Sequence, residues 1–421
     1  MTPRLSCLFL LLVAGCSATG TSTTSSSSSG DPAVSSSSGG TATPTPVCSE
    51  ATSFDTDPKN CGRCGRACDD GACNAGSCAA RVEATGALMP SSVAEEIAVL
   101  GGHVFARLSE TSGATTTHPI VRLDDGKLST VVADTHHGCG SLRVECMVTD
   151  GKTLFVETMV GDATTGATAF IKRFTSDGTK LGDILVPDDG YGFPQMAAEN
   201  GRVLLRGVTG PTALFSEDGK VTRLTPLRYP QWPILSNDQM FFSNIHAIER
   251  VAVGSGSIVV GEVDSTTSGK INALAANDRH VYTVSESGEK SMPTVSRFAR
   301  AGTSTRPERT DVISTEALQR LNAASLKAPE VMARSVEERA VVADGRFYFT
   351  LQVMTSDQSK QNRVIVEWSE NRGFRPVAPI APWLGESGTR LTVGDGRLYW
   401  LEQPSLTTAN RPAWRILSVP L

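Results

Sequence analysis

Ala343-Asp344-Gly345-Arg346-Phe347-Tyr348-Phe349 and Gly394-Asp395-Gly396-Arg397-Leu398-Tyr399-Trp400 share one plan: a two-residue turn, a basic residue, then an unbroken apolar and aromatic run. Asp-Gly suits such a turn because both backbones accept positive φ, and the run that follows reads as a strand. Looser copies are Gly101-Gly102-His103-Val104-Phe105, Asp150-Gly151-Lys152-Thr153-Leu154-Phe155, Asn200-Gly201-Arg202-Val203-Leu204, Asn237-Asp238-Gln239-Met240-Phe241 and Asn277-Asp278-Arg279-His280-Val281-Tyr282. The second turn residues fall at 102, 151, 201, 238, 278, 345 and 396, so most spacings lie between 37 and 51. A second hairpin follows most turns, as at Asp124-Asp125-Gly126, Asp177-Gly178 and Asp218-Gly219. Two hairpins per repeat make four antiparallel strands, and that count in that period predicts propeller blades.

The fold expected is therefore all-β: a seven-bladed β-propeller, with six or eight blades as alternatives. Its inner strands fall at 97–100, 144–149, 196–199, 234–236, 271–276, 340–343 and 391–393. After 397–402 and 414–419 the seventh repeat has only three strands, while an extended segment at 81–88 precedes the first repeat unused. That segment is expected to supply the missing outer strand and cover an open edge. The long interval before 345 carries Leu318, Leu321 and Leu326 at helical spacing, which predicts a short helical insertion near 306–335. It is expected to pack on the propeller's flank, a mobile lid being the alternative.

Upstream of the repeats the chain changes character twice. Arg4 precedes the apolar run 5–14, too short to span a bilayer, and Leu12-Val13-Ala14-Gly15-Cys16 resembles a bacterial lipobox. The resemblance implies a signal peptide over 1–15, lipidation of Cys16, and a lipid anchor in the cell envelope without a membrane-spanning helix. Ser17 rather than Asp at the next position resembles the pattern sorted to the outer membrane. An ordinary secretory signal cut near Ala18 is the alternative. Residues 16–47 are almost entirely Ser, Thr, Gly, Ala and Pro, a composition that favours a disordered tether.

Residues 48–78 hold six cysteines: Cys48, Cys61, Cys64, Cys68, Cys73 and Cys78. In an exported chain this reads as a disulfide framework for a segment too small for its own core, with the pairing left open. Cys61-Gly62-Arg63-Cys64 also has the spacing of a metal knuckle, which is the alternative. Asp57-Pro58-Lys59-Asn60-Cys61-Gly62-Arg63-Cys64-Gly65-Arg66-Ala67-Cys68, with Cys73 and Cys78 after it, resembles a cysteine-rich module of myxobacterial secreted proteins and lipoproteins. That resemblance implies a surface location and no activity.

Function is less legible. A net charge of −5 without a basic stripe argues against nucleic acid as a partner. No phosphate-binding glycine loop, nucleophile elbow or zinc-binding helix is present, so no cofactor or metal is expected and the chain is read as a monomer. Because both hairpin turns of a blade lie on one face, the longer connections lie on the other, which is where a ligand is expected. Those connections hold Tyr191-Gly192-Phe193-Pro194-Gln195, Tyr229-Pro230-Gln231-Trp232 and Trp383, whose rings would suit a sugar or peptide or would cap strand ends. They also hold Asp134, His136 and His137, flanked by Cys139 and Cys146, which are close enough for a local disulfide; Asp188 lies in the next connection. A histidine with a carboxylate can serve as acid and base, although neighbours on an extended chain point apart, and a surface pair is the plainer account. His103, His118, His246 and His280 form no set. Three functions remain: a surface lipoprotein that binds a macromolecule or glycan, a propeller lyase or hydrolase using His136 or His137 with Asp188, and a structural part of an envelope assembly.

Overall fold

The computed structural model describes residues 53–421 except 70, 75, 86–91, 125, 136–145, 161–167, 188–194, 207–211, 225–230, 238, 245, 253–256, 263–269, 288–291, 303, 325–330, 336–338, 356–360, 381–389 and 403–413. Seven antiparallel sheets of at least four strands follow one another and form a seven-bladed β-propeller. The inner strands are Ser92–Leu100, Met147–Thr149, Gln195–Glu199, Gln231–Ser236, Lys270–Ala276, Val341–Ala343 and Leu391–Gly394.

The quoted turns behave as their residues require. Asn200, Asn237, Asp344 and Asp395 have φ of 50, 43, 49 and 48°, and Gly201, Gly345 and Gly396 follow at 73, 70 and 69°. Consecutive positive φ values twist the turn to match the right-handed strands. Blades two and five close differently, through a side chain that replaces one backbone bond. Asp150 Oδ1 accepts from Lys152 N at 2.9 Å and Thr153 N at 2.7 Å, and Asn277 Oδ1 accepts from Arg279 N and His280 N at 2.9 Å each.

The apolar run after each turn is continuous because both faces of the strand are buried. Along Arg397–Glu402, Leu398 and Trp400 pack towards blade six, while Tyr399 and Leu401 pack towards blade one. Along Arg346–Thr355, Phe347, Phe349, Leu351 and Val353 face blade five and Tyr348 faces blade seven. Each of the seven junctions between neighbouring blades has its own apolar cluster, so the core is a ring of layers rather than one centre.

The ring closes as the three-strand count predicts. Arg81–Thr85 pairs with Arg415–Pro420, completing blade seven from upstream of blade one. Ala84 enters the core between blades seven and one. The segment 306–335 is more strand-like than the helical spacing suggests. Arg309–Val312 is the outer strand of blade five, and Val331–Ser335 extends blade six by pairing with the second half of its long strand. Between them runs the helix Thr315–Ala324, with Ser314 Oγ accepting from Ala317 N at 3.2 Å as its cap. Ala317, Leu318 and Leu321 bury against blades five and six, so the helix is a flank element.

The cysteine-rich module is knotted by Cys61–Cys73 and Cys68–Cys78, and Cys64 is also disulfide-bonded. The sulfurs of Cys61, Cys68 and Cys78 lie within 4.8 Å of one another, but as disulfide sulfurs they offer no thiolate to a metal. The module docks at the short-turn end of blades six and seven and runs straight into the closing strand. Arg66 Nε donates to Pro420 O at 3.0 Å, Ser77 Oγ to Pro376 O at 3.2 Å, and Arg397 pairs with Asp69 at 2.6 Å. The Arg372 guanidinium stacks over the Phe54 ring at 4.7 Å.

Candidate functional site at the long-loop end

Where the inner strands begin, on the face opposite the short turns, charged residues interrupt otherwise apolar strands. The local cause is an irregularity in Ser92–Leu100: the register with the second strand shifts between Ala94 and Glu96, leaving Glu95 as the extra residue. A bulge re-aims side chains, and here it sends two adjacent carboxylates to different partners. Glu95 pairs with Arg107 Nη1 and with His118 Nδ1 at 3.3 Å. Glu96 pairs with Arg390 Nη1 at 2.9 Å and accepts from Cys146 N at 3.2 Å and Met147 N at 3.3 Å. One carboxylate therefore ties the approach to blade seven to the first strand of blade two.

Arg107 is fully buried, and its Nε donates to Thr135 Oγ1 at 3.0 Å. Thr135 donates in turn to His118 O at 2.6 Å, and Asp134 Oδ1 accepts from His118 N at 2.7 Å. Burial lowers Arg107 below the usual guanidinium range, with Glu95 opposing the shift. Glu157 lies beside this group and is 2% exposed. Burial pushes its carboxyl up to about 7, Arg107 pulls it down, and Glu96 adds to the rise. Its charge state therefore changes near neutrality, and its backbone N donates to Cys146 O at 2.8 Å. The cluster comprises Glu95, Glu96, Arg107, His118, Asp134, Glu157 and Arg390, and it adjoins the point where the 136–145 connection departs.

Other blades place single polar pairs at the same end. Arg206 Nη1 donates to Gln195 Oε1 at 2.7 Å, and burial lowers this arginine to about 10. Arg415 Nη2 donates to Glu402 Oε2 at 2.5 Å. The centre of the ring is different in kind. A cavity of about 250 Å³ is lined by all seven inner strands, and among the described residues its walls are apolar apart from Thr149, Thr392 and Arg339.

Of the residues expected to contact a ligand, His136, His137, Asp188, Tyr191, Tyr229 and Trp383 lie outside the described residues, as do Cys16, Cys48 and Cys139. Cys146 is disulfide-bonded. Trp232, expected in a connection, instead belongs to the inner strand Gln231–Ser236, which has its own register shift between Gln231 and Ile234. Gln195, also expected in a connection, opens the inner strand of blade three and is buried against Arg206. The sequence reading missed Glu95, Glu96, Arg107, Glu157 and Arg390, and it set His118 aside. The available signal was charge inside an apolar strand: Val104-Phe105-Ala106-Arg107-Leu108 and Leu154-Phe155-Val156-Glu157.

No protein-family model matches the chain, and no curated protein matches it. Solved structures share its fold at low identity. The propeller domain of the trilobed protease from Pyrococcus furiosus aligns with 78% of this chain and 95% of its own length, at 12% identity and a TM-score of 0.46. An acylaminoacyl peptidase from Pyrococcus horikoshii aligns with 77% of this chain and 50% of its own, at 13% identity and a TM-score of 0.45. An ancestral GH74 enzyme gives 79% and 48%, at 11% identity and a TM-score of 0.47. The chain spans about half the length of that peptidase and that GH74 enzyme.

Proposed function

We propose that the chain is a lipid-anchored protein of a bacterial envelope whose propeller binds a macromolecular or glycan ligand on its long-loop face. The observation that carries this reading is the asymmetry of the two ends. The cysteine-rich module takes up the short-turn end of blades six and seven, where Phe54 sits against Arg372 and Arg375. The opposite end has the longer connections, set on a base of buried ion pairs that fixes the strand ends beneath them. A rigid scaffold under irregular segments is the usual arrangement for binding. Lipidation at Cys16 is supported by the lipobox-like sequence.

The test is a screen of the purified chain against glycans and peptidoglycan fragments, recording both binding and turnover, with Tyr191→Ala, Trp383→Ala, His136→Ala and His137→Ala in parallel. Saturable binding lost in the aromatic variants and kept in the histidine variants supports the reading. Absence of binding to every ligand sinks it and favours a structural role in an envelope assembly. In cells, Cys16→Ser should move the protein from the membrane to the soluble fraction. A second reading, a lyase or hydrolase, would rest on the carboxylate cluster at the long-loop end, where Glu157 is buried beside Arg107 and Glu96 and that burial pushes its carboxyl up to about 7. Turnover abolished in Glu157→Gln would move the assignment there.

A further inference from the structure

The joint between the module and the propeller contains more buried positive charge than its geometry explains. Arg63 and Arg66, from the knotted loop, are 8% and 4% exposed, and they lie within electrostatic range of Tyr348 and Glu367 of blade six, which are 1% and 4% exposed. Tyr348 Oη donates to Glu367 Oε2 at 3.3 Å, and Arg346 Nε lies 3.5 Å from Glu367 Oε1. Arg346 contacts Glu367, and Arg63, Arg66 and Arg375 lie within the field of the same carboxylate, with Asp344 adding negative charge near Arg63 and Asp55 near Arg375. A single carboxylate has two oxygens and cannot satisfy four guanidinium forks.

The hydrogen-bond inventory shows the shortfall. Arg63 Nε, Arg66 Nη2 and Arg346 Nη1 are buried and have no hydrogen-bond partner among the described residues. Arg66 spends its Nε on Pro420 O, which fixes the side chain in place without answering its charge. A buried charged donor without an acceptor is costly, so a group that supplies acceptors and negative charge would be held strongly there. Burial and the like charge of Arg346 hold Arg63 below the usual guanidinium range, the direction expected of cations short of counter-charge.

We propose that Arg63, Arg66 and Arg346 form a binding site for a small tetrahedral oxyanion, inorganic phosphate or sulfate, at the joint between the cysteine-rich module and blade six. Guanidinium forks match such oxyanions with paired N–H···O bonds. Because Arg63 and Arg66 are buried, the ligand is a single small ion rather than a polymer. The bound ion links residues of the module to residues of the propeller, so it acts as a non-covalent clasp. Glu367 competes with it for the same donors.

The experiment uses the full chain with its disulfides intact, exchanged into chloride free of phosphate and sulfate. Isothermal titration and thermal melting are then followed with sodium phosphate and sodium sulfate against sodium chloride at matched ionic strength. The expected result is one site per chain and a saturating rise in melting midpoint with either oxyanion. Arg346→Gln, at a partly exposed position where the fold tolerates change, should weaken binding about tenfold or more, and Glu367→Gln should tighten it. A rise that grows linearly without saturating is the exclusion effect sulfate exerts on any protein and overturns the proposal. Unchanged affinity in Arg346→Gln, or weaker affinity in Glu367→Gln, overturns it as well.

Discussion

The joint at the short-turn end and the cluster at the long-loop end both bury charge, yet they balance it differently. At the long-loop end, carboxylates and arginines alternate: Glu95 with Arg107, Glu96 with Arg390, and Glu157 held close to neutrality between them. At the joint, Arg346 pairs with Glu367 while Arg63, Arg66 and Arg375 gather around the same charge. The first arrangement ties strand ends together, and the second fastens a separate module to the ring. Buried charge in this protein therefore marks two kinds of boundary, and each should respond to a different perturbation.

The largest effect is expected from deleting 53–85, which removes the module and the closing strand together. Blade seven would lose its outer strand and its edge would be exposed, so cooperative melting should be lost, a change comparable with the entire stability of about 5–15 kcal/mol of an ordinary domain. A truncation that melts as sharply as the intact chain would show that the joint is ornamental. Gly62→Ala is the next in size. Gly62 has φ of +71°, and an added Cβ would stand 2.5 Å from Gly76 O, inside contact distance of backbone that the disulfides hold. Native pairing of Cys61–Cys73 and Cys68–Cys78 should fail, at a cost of about 2–5 kcal/mol, seen as free thiols by mass spectrometry and a lower midpoint.

Glu157→Gln tests the other boundary. A carboxyl raised from 4.5 to about 7 binds more protons folded than unfolded between those values. Its favourable contribution is therefore complete below pH 4.5 and is lost as pH rises through 7, amounting to about 3 kcal/mol across that window. The wild-type protein should show this decline in denaturant midpoints, and Glu157→Gln should flatten it while leaving the joint's oxyanion response intact. The smallest effect belongs to Asp69→Ala. It removes the 2.6 Å pair with Arg397 from a side chain that is 37% exposed, while Arg397 keeps Ser418 and Glu83, so the loss read from thermal midpoints should be about 1 kcal/mol or less.

The fold was legible because its signals are local and repeated. Asp344-Gly345 and Asp395-Gly396 adopt the positive φ their residues favour, and seven turn-and-strand units, most of them 37 to 51 residues apart, mark the blades without any knowledge of long-range contacts. The closing strand was legible by subtraction, since one blade lacked a strand and one strand lacked a blade. Boundaries in 306–335 were harder, because Arg309–Val312 alternates polar residues and derives its pairing from the neighbouring strand rather than from its own pattern. The long-loop cluster was not found because its members come from six separate segments, and Glu95 and Glu96 matter only through a bulge the sequence does not announce. Arg63 and Arg66 stand between cysteines in the sequence, and only the docked module reveals that they are buried.

The closing pair has a temporal consequence. Val82 meets Leu417 across more than three hundred residues, so the strand Arg81–Thr85 must wait for one made much later. Until then that strand is an unmatched edge, and the blade it completes does not yet exist. Because closure of so long a loop is entropically slow to achieve, ring formation rather than blade formation should limit the rate of folding. The disulfide-knotted module beside the strand needs no downstream sequence for its Cys61–Cys73 and Cys68–Cys78 bonds. It can mature first and present Arg81–Thr85 in place, so that Arg415–Pro420 has a prepared latch to find.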